Sequence, residues 1–204
     1  WLKQRIGERI TDLYNASSGV QKEYLKSFHE KNGDLTFQDL EELRIKIPEA
    51  NLKKMHFTGS NMTSRSLEVF NATNTPDMPV HMAARISASF PWAFKSVIYN
   101  GNEYIDGGAL NNYPMQLFDN PENEKYCIGK DGANLEALGV RVDDKNEIRD
   151  LLWKSPGDIA KGFLYNFRKS LGEFFVGVDF INSGTAIDRD AYEKYPHRTI
   201  QISD

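Results

Sequence analysis

The chain has 204 residues and a mass of 23.3 kDa, enough for one domain with a sizeable core. Apolar residues make up 40% and charged residues 26%, the balance of a globular protein rather than a disordered one. Its net charge of −4 comes from interspersed residues of both signs, which argues against nucleic acid as a partner because no basic face can neutralise a run of phosphates.

Cys127 is the single cysteine, so no internal disulfide forms, and the four histidines are scattered too widely for a Cys/His zinc site. This usage leans toward a reducing compartment without fixing one. No apolar run approaches the roughly 18 residues of a membrane-spanning helix, so any membrane contact is expected from the side. The chain opens at Trp1 with no signal-like or transit-like segment, which reads as part of something longer.

Leu2, Ile6, Ile10, Leu13 and Tyr14 recur at helical spacing over residues 1–15, and a second helix is predicted over 19–29. Both read as amphipathic surface helices. The segment HEKNGDLTFQDLEEL admits two readings. As a calcium loop it brings Glu30, Asn32, Asp34, Gln38 and Glu41 near ligand positions, but Leu35 stands where the sharp turn needs glycine, and the first ligand is Glu instead of Asp. The plainer reading is a turn at Gly33 and a helix over 37–45, capped by Thr36 with Asp39 as reciprocal partner and stopped by Pro48.

Strands are predicted over 51–60 and 66–72. Pro76 and Pro79 punctuate the loop before a helix over 79–88, where Ala83, Ala84, Ser87 and Ala88 allow close approach to a neighbouring backbone. Close packing also accounts for Ser87 and Ser89. Val97-Ile98-Tyr99 then meets Asn102-Glu103-Tyr104-Ile105 across Asn100-Gly101, a strong hairpin signal because both central residues of a type I′ turn need positive φ. Asp106 stands at the hairpin's exit, before Gly107 and Gly108, which permit a sharp bend at positive φ.

Residues 119–132 are turn-rich, 138–142 read as a strand, and 156–171 as a helix with Ile159, Phe163, Phe167 and Leu171 on one face. The aromatic-rich run 162–180 covers a sheet or, with Arg168 and Lys169 toward headgroups, touches a bilayer. A last strand is predicted over 198–202. There are no internal repeats, and the alternation of strands and helices indicates an α/β domain.

The search for a nucleophile is negative. Neither NASSGV, FTGSNM nor INSGTA has the glycine flanks of G-x-S-x-G. No histidine lies in a recognisable catalytic setting, Cys127 reads as a passive thiol, and the N-x-S/T triplets at Asn15, Asn61 and Asn71 are as many as chance supplies. Asp106 is then either a turn-former or a base. Asn111 and Asn112 either support the loop after it or are plain turn residues.

LTFQDLEEL, NTPDMPVHMAARISASFPWAFKSV and YIDGGALNNYP follow one another in the order and spacing of a known family. From about Leu35 to Pro114 the chain resembles the C-terminal part of a patatin-like phospholipase domain, and its charge-rich N-terminal helices and tail resemble bacterial effector members more than plant storage proteins. Residues 115–204 match only vaguely. The resemblance implies a layered α/β fold with a mixed, mainly parallel central sheet and helices on both faces, incomplete here because residues 1–204 are a partial domain. It also implies a serine–aspartate dyad hydrolysing acyl esters of lipids, with Asp106 as the aspartate and Gly107 and Gly108 completing the motif.

The elbow serine and a glycine-rich oxyanion loop are expected upstream of Trp1, which leaves these 204 residues inactive by themselves. A dyad suits the histidines' lack of a catalytic setting, since the carboxylate itself takes the serine proton. No cofactor or metal is implied. The implied partner is a phospholipid or membrane surface, with any protein activator left open, and the location peripheral at membranes, cytoplasmic or secreted. Two alternatives stand beside this reading: a non-catalytic lipid- or partner-binding module of the same fold, and a soluble carboxylesterase.

Overall fold

The computed structural model describes residues 1–90, 93–119, 133–143 and 199–203. The chain divides at Gly107 and Gly108 into two compact bodies.

The first body opens with three helices, α1 (Leu2–Ala16), α2 (Gly19–Glu30) and α3 (Phe37–Lys46). Their apolar faces close on one another: Ile10, Leu25, Phe28, Leu35, Leu43, Ile47 and Ala50 form a buried cluster, the expected outcome for amphipathic helices that bury one stripe. At the start of α3 the capping box forms as read, with Asp39 N–H donating to Thr36 Oγ1 at 3.2 Å and Thr36 N–H donating to Asp39 Oδ2 at 3.0 Å. A 3-10 turn at Pro48–Ala50 follows α3.

Strand β1 covers only Phe57–Asn61, shorter than the predicted 51–60. Asn51 leaves the preceding turn in the left-handed region, with φ of 51°, and residues 51–56 belong to no ladder. β2 (Ser66–Phe70), β3 (Val97–Tyr99) and β4 (Asn102–Asp106) complete a sheet in the order β2-β1-β4-β3. Between β2 and β3 runs α4 (Val80–Ser87), whose Val80, Ala83 and Ile86 are buried with Phe37, Phe70, Met78 and Tyr104 in a second cluster. Phe70 meets Tyr104 edge-on at 5.6 Å between ring centroids, a favoured aromatic geometry.

The α/β class holds, with helices packed about a sheet, but every ladder in the four-stranded sheet is antiparallel. The expectation of a mainly parallel sheet does not describe these ladders. The physical reason is connection length: β1–β2 and β3–β4 are joined by turns too short for a parallel crossover. Asn61, one of the N-x-S/T asparagines, is only 1% exposed, and its side chain is bonded to Glu68 and to the N–H groups of Thr63 and Ser64.

In the second body, β5 (Gly139–Asp143) and β6 (Thr199–Ser203) pair in parallel, Gly139 opposite Thr199. Tyr113 and Met115 form a small buried cluster with Ala137 packed on it. The predicted helix over 156–171, the aromatic run 162–180, Cys127 and most of the turn-rich 119–132 lie outside the described residues.

Candidate active site

The hairpin β3–β4 turns on two residues, Asn100 at φ 47° and Gly101 at φ 77°. This is the left-handed pair that a tight hairpin of this twist requires. The register Tyr99↔Asn102, Ile98↔Glu103, Val97↔Tyr104 exhausts β3 two residues before β4 ends. Asp106 is thus the last residue of β4, paired across to Gly59 of β1 but beyond the reach of β3. Strand alternation puts it on the same face as buried Tyr104, and it is half-buried.

With β3 gone, the outward N–H of Asp106 needs another acceptor. It donates to the carbonyl of Ser89, just past α4, at 3.0 Å. On the other side the Asp106 carbonyl accepts from Ser60 Oγ of β1 at 2.9 Å. Ser60 and Ser89 are both fully buried. Both main-chain polar groups of Asp106 are therefore held by neighbours, as buried backbone groups require.

Gly107 and Gly108 do not bend the chain at positive φ. Neither is among the residues with positive φ, and Gly107–Ala109 instead form a 3-10 turn. Glycine is needed at 107 for a different reason. A Cβ there would lie 2.5 Å from the carbonyl carbon of Thr58 and against its hydroxyl, inside any tolerable contact. β1 runs so close behind the motif that only hydrogen fits.

Following the motif, Asn111 is 1% exposed. Its Oδ1 accepts from Tyr113 N–H at 3.1 Å, an Asx turn that supports the loop, while its Nδ2 has no hydrogen-bond partner among the described residues. Asn112 is exposed. The Tyr104 hydroxyl donates to Glu68 Oε2 at 3.0 Å; burial first, and then Glu68, push its pKa up to about 12.

The other candidate chemistry resolves into structure. In the calcium-like segment Asp34 pairs with Lys3, Asp39 with Lys31 and Glu41 with Arg44. No group of three or more metal-capable side chains occurs among the described residues. His29 stacks on Tyr14, and His81 Nδ1 stands 3.5 Å from Asp34. His56 lies 3.3 Å from Asn71 with its pKa lowered, chiefly by burial and then by Lys54. A surface groove of about 440 Å³ is lined by Gln38, Glu41, Ile45, Lys46, Ala72 and Pro76. Asp106 is not among its walls.

Sequence reasoning missed Thr58, Ser60 and the Ser89 carbonyl. The available signal was the run Thr58-Gly59-Ser60-Asn61, small and polar yet buried throughout in a central strand. Such a strand must find hydrogen-bond partners for its side chains.

A family model described as patatin-like phospholipase matches residues 3–119. The chain belongs to the patatin-like phospholipase family. This is a family of lipid hydrolases, and the motif containing Asp106 falls inside the matched span. Among curated relatives, a protein named probable lipid hydrolase 463L from Invertebrate iridescent virus 6 is 37% identical over 68 residues, covering 32% of this chain and 23% of that protein. Uncharacterized protein R571 from Acanthamoeba polyphaga mimivirus is 34% identical over 67 residues, covering 33% of this chain and 23% of its own length. The alignments thus span less than a quarter of these relatives. Among the described residues of this patatin-like chain, no helix is long and apolar enough to cross a membrane.

Proposed function

We propose that this chain supplies the general base of a serine–aspartate dyad that hydrolyses fatty acyl esters of phospholipids. Asp106 takes the proton of a serine hydroxyl as that oxygen attacks the acyl carbonyl, and returns it to the departing alcohol. Water, deprotonated by the same carboxylate, then releases the fatty acid and frees the serine. Backbone N–H donors around the carbonyl oxygen contribute about 3–4 kcal/mol each in a comparable hydrolase. The serine and those donors come from residues outside these 204, since no G-x-S-x-G occurs within them. The substrate surface is a phospholipid membrane approached from the side, with no cofactor.

One observation carries this reading: Asp106 ends β4 with its N–H and C=O both anchored, by Ser89 and Ser60. A base must be held within about 0.5 Å of its working position, and a strand end anchored on both sides does this better than a loop. Family membership supports the same assignment.

The test is Asp106→Asn in the protein that carries these residues together with the elbow serine. Fatty acid release from phospholipid vesicles is expected to fall about 10²–10⁴-fold, the usual contribution of a positioned general base, with the melting temperature unchanged. Release at the normal rate removes Asp106 from the role. Faster turnover of a water-soluble short-chain ester than of vesicles would indicate a carboxylesterase. Vesicle binding with no turnover of either substrate would indicate a binding module.

A further inference from the structure

Ser89 sets where Asp106 sits, because its carbonyl is the acceptor for the Asp106 amide. Yet Ser89 lies beyond the last residue of α4 and outside every strand. Its own position rests on the preceding turn. Ser89 N–H donates to the Ile86 carbonyl at 2.9 Å, and Ser89 Oγ donates to the Arg85 carbonyl at 2.6 Å. The Arg85 side chain then folds back. Its Nη1 donates to Ser89 Oγ at 2.5 Å and its Nη2 to the Lys95 carbonyl at 3.3 Å, with the guanidinium 5.4 Å from the Phe94 ring centroid.

A single planar fork thus ties Ser89 to Lys95, the two ends of the loop that leads from α4 to β3. Arg85 makes no ion pair with a carboxylate among the described residues. A cation in the last turn of a helix also complements the helix dipole, but any cation serves that purpose, and lysine would do. Two divergent acceptors and a ring face require the rigid guanidinium.

We infer that Arg85 is a positioning residue for the base: by clamping Ser89 it fixes the carbonyl that holds the Asp106 main chain. This rests on Asp106 being the base, and it assigns a role to a residue that never touches substrate. Arg85→Lys keeps the charge and loses the fork. Displacement of a catalytic group by about 1 Å costs on the order of 10²-fold, so a partial release of Ser89 is expected to lower kcat on phospholipid vesicles about 10- to 100-fold.

The experiment compares Arg85→Lys, Arg85→Ala, Ser89→Ala and Asp106→Asn in the protein carrying the elbow serine, measuring kcat and KM on phosphatidylcholine vesicles and the melting temperature. The expected result is a fall in kcat for Arg85→Lys with KM within twofold and the melting temperature within a few degrees. Guanidinium chloride at millimolar concentration should restore kcat to Arg85→Ala, and methylammonium chloride should not. Ser89→Ala should lower kcat less, and adding it to Arg85→Lys should cost nothing further, since both break one link.

Full kcat in Arg85→Lys, or a loss that appears only in KM or in melting temperature, overturns the inference. If Arg85→Ala does not fold, Arg85→Lys and Ser89→Ala still decide it. Asp106→Asn separates the two failures. An inactive Asp106→Asn beside a fully active Arg85→Lys refutes the positioning role alone, whereas an active Asp106→Asn refutes the base.

Discussion

Two corners of the first body set an acidic residue beside a glycine, and they are built in opposite ways. At the turn between α2 and α3, Gly33 has φ of 80° and lies against the backbone of α1, where a Cβ would meet the Lys3 carbonyl oxygen and stand 2.9 Å from Gly7 N. The acids there are held by their carboxylates: Asp34 by Lys3, Asp39 by Lys31 and the Thr36 amide. At the end of β4, Gly107 has no left-handed φ, and Asp106 is held by its main chain. A carboxylate that closes a turn is part of the scaffold. Asp106 has both its N–H and its C=O anchored by neighbouring segments, so strand pairing and helix packing set where the residue sits.

The sharpest way to break this contrast is to remove each carboxylate in turn. Asp106→Asn is expected to lower turnover by orders of magnitude at unchanged stability, as proposed above. Asp39→Asn should leave turnover alone and cost about 1 kcal/mol of unfolding free energy in urea, the usual value of a helix cap. Equal effects on turnover would erase the distinction between the corners.

Next come the glycines. Gly33→Ala combines left-handed strain with a backbone clash and is expected to cost about 2–4 kcal/mol, with kcat per folded molecule retained. Gly107→Ala meets Thr58 and should cost a similar amount, but it also moves Asp106. If Asp106 is the base as proposed, kcat per folded molecule is expected to fall at least about 10-fold, since displacing a catalytic group is costly. Active-site titration beside urea unfolding reads both.

Smaller is the cap itself. Thr36→Ala removes the acceptor for the Asp39 amide and is expected to lower unfolding free energy by about 1 kcal/mol, with no change in vesicle hydrolysis. The smallest effect belongs to Asp34→Asn. Its bridge to Lys3 is 3.1 Å long with both side chains nearly half exposed, so the loss should be about 0.5 kcal/mol or less and vanish at high salt. A larger, salt-independent loss would mean that the first corner depends on this pair more than its exposure allows.

Features closed within a few residues were legible in advance. The capping box at Thr36 and Asp39 and the Asn100-Gly101 turn agree with the sequence reading, and strands β5 and β6, which pair across distant segments, were read from their residue pattern to within one residue. The strand predicted over 51–60 was too long because a strand exists only where a partner pairs with it, and nothing in residues 51–56 announces the missing partner. The mainly parallel sheet was implied by the family resemblance, whereas short turns dictate the antiparallel β1–β2 and β3–β4 ladders. In the site, Asp106 stood out by its motif, but the cause assigned to Gly107 was wrong. A glycine required by an approaching strand looks the same on paper as one required by a left-handed turn.

The amino-acid sequence by itself determined the caps, the hairpin turn, the amphipathic faces and the acidic residue at the strand end, because each is settled by hydrogen bonds and side-chain spacing among near neighbours. Only the tertiary structure decided what holds that residue. Ser60, Thr58, Ser89 and Arg85 meet Asp106 or its support through strand pairing and helix packing, and those contacts exist only once distant segments have closed on a shared core.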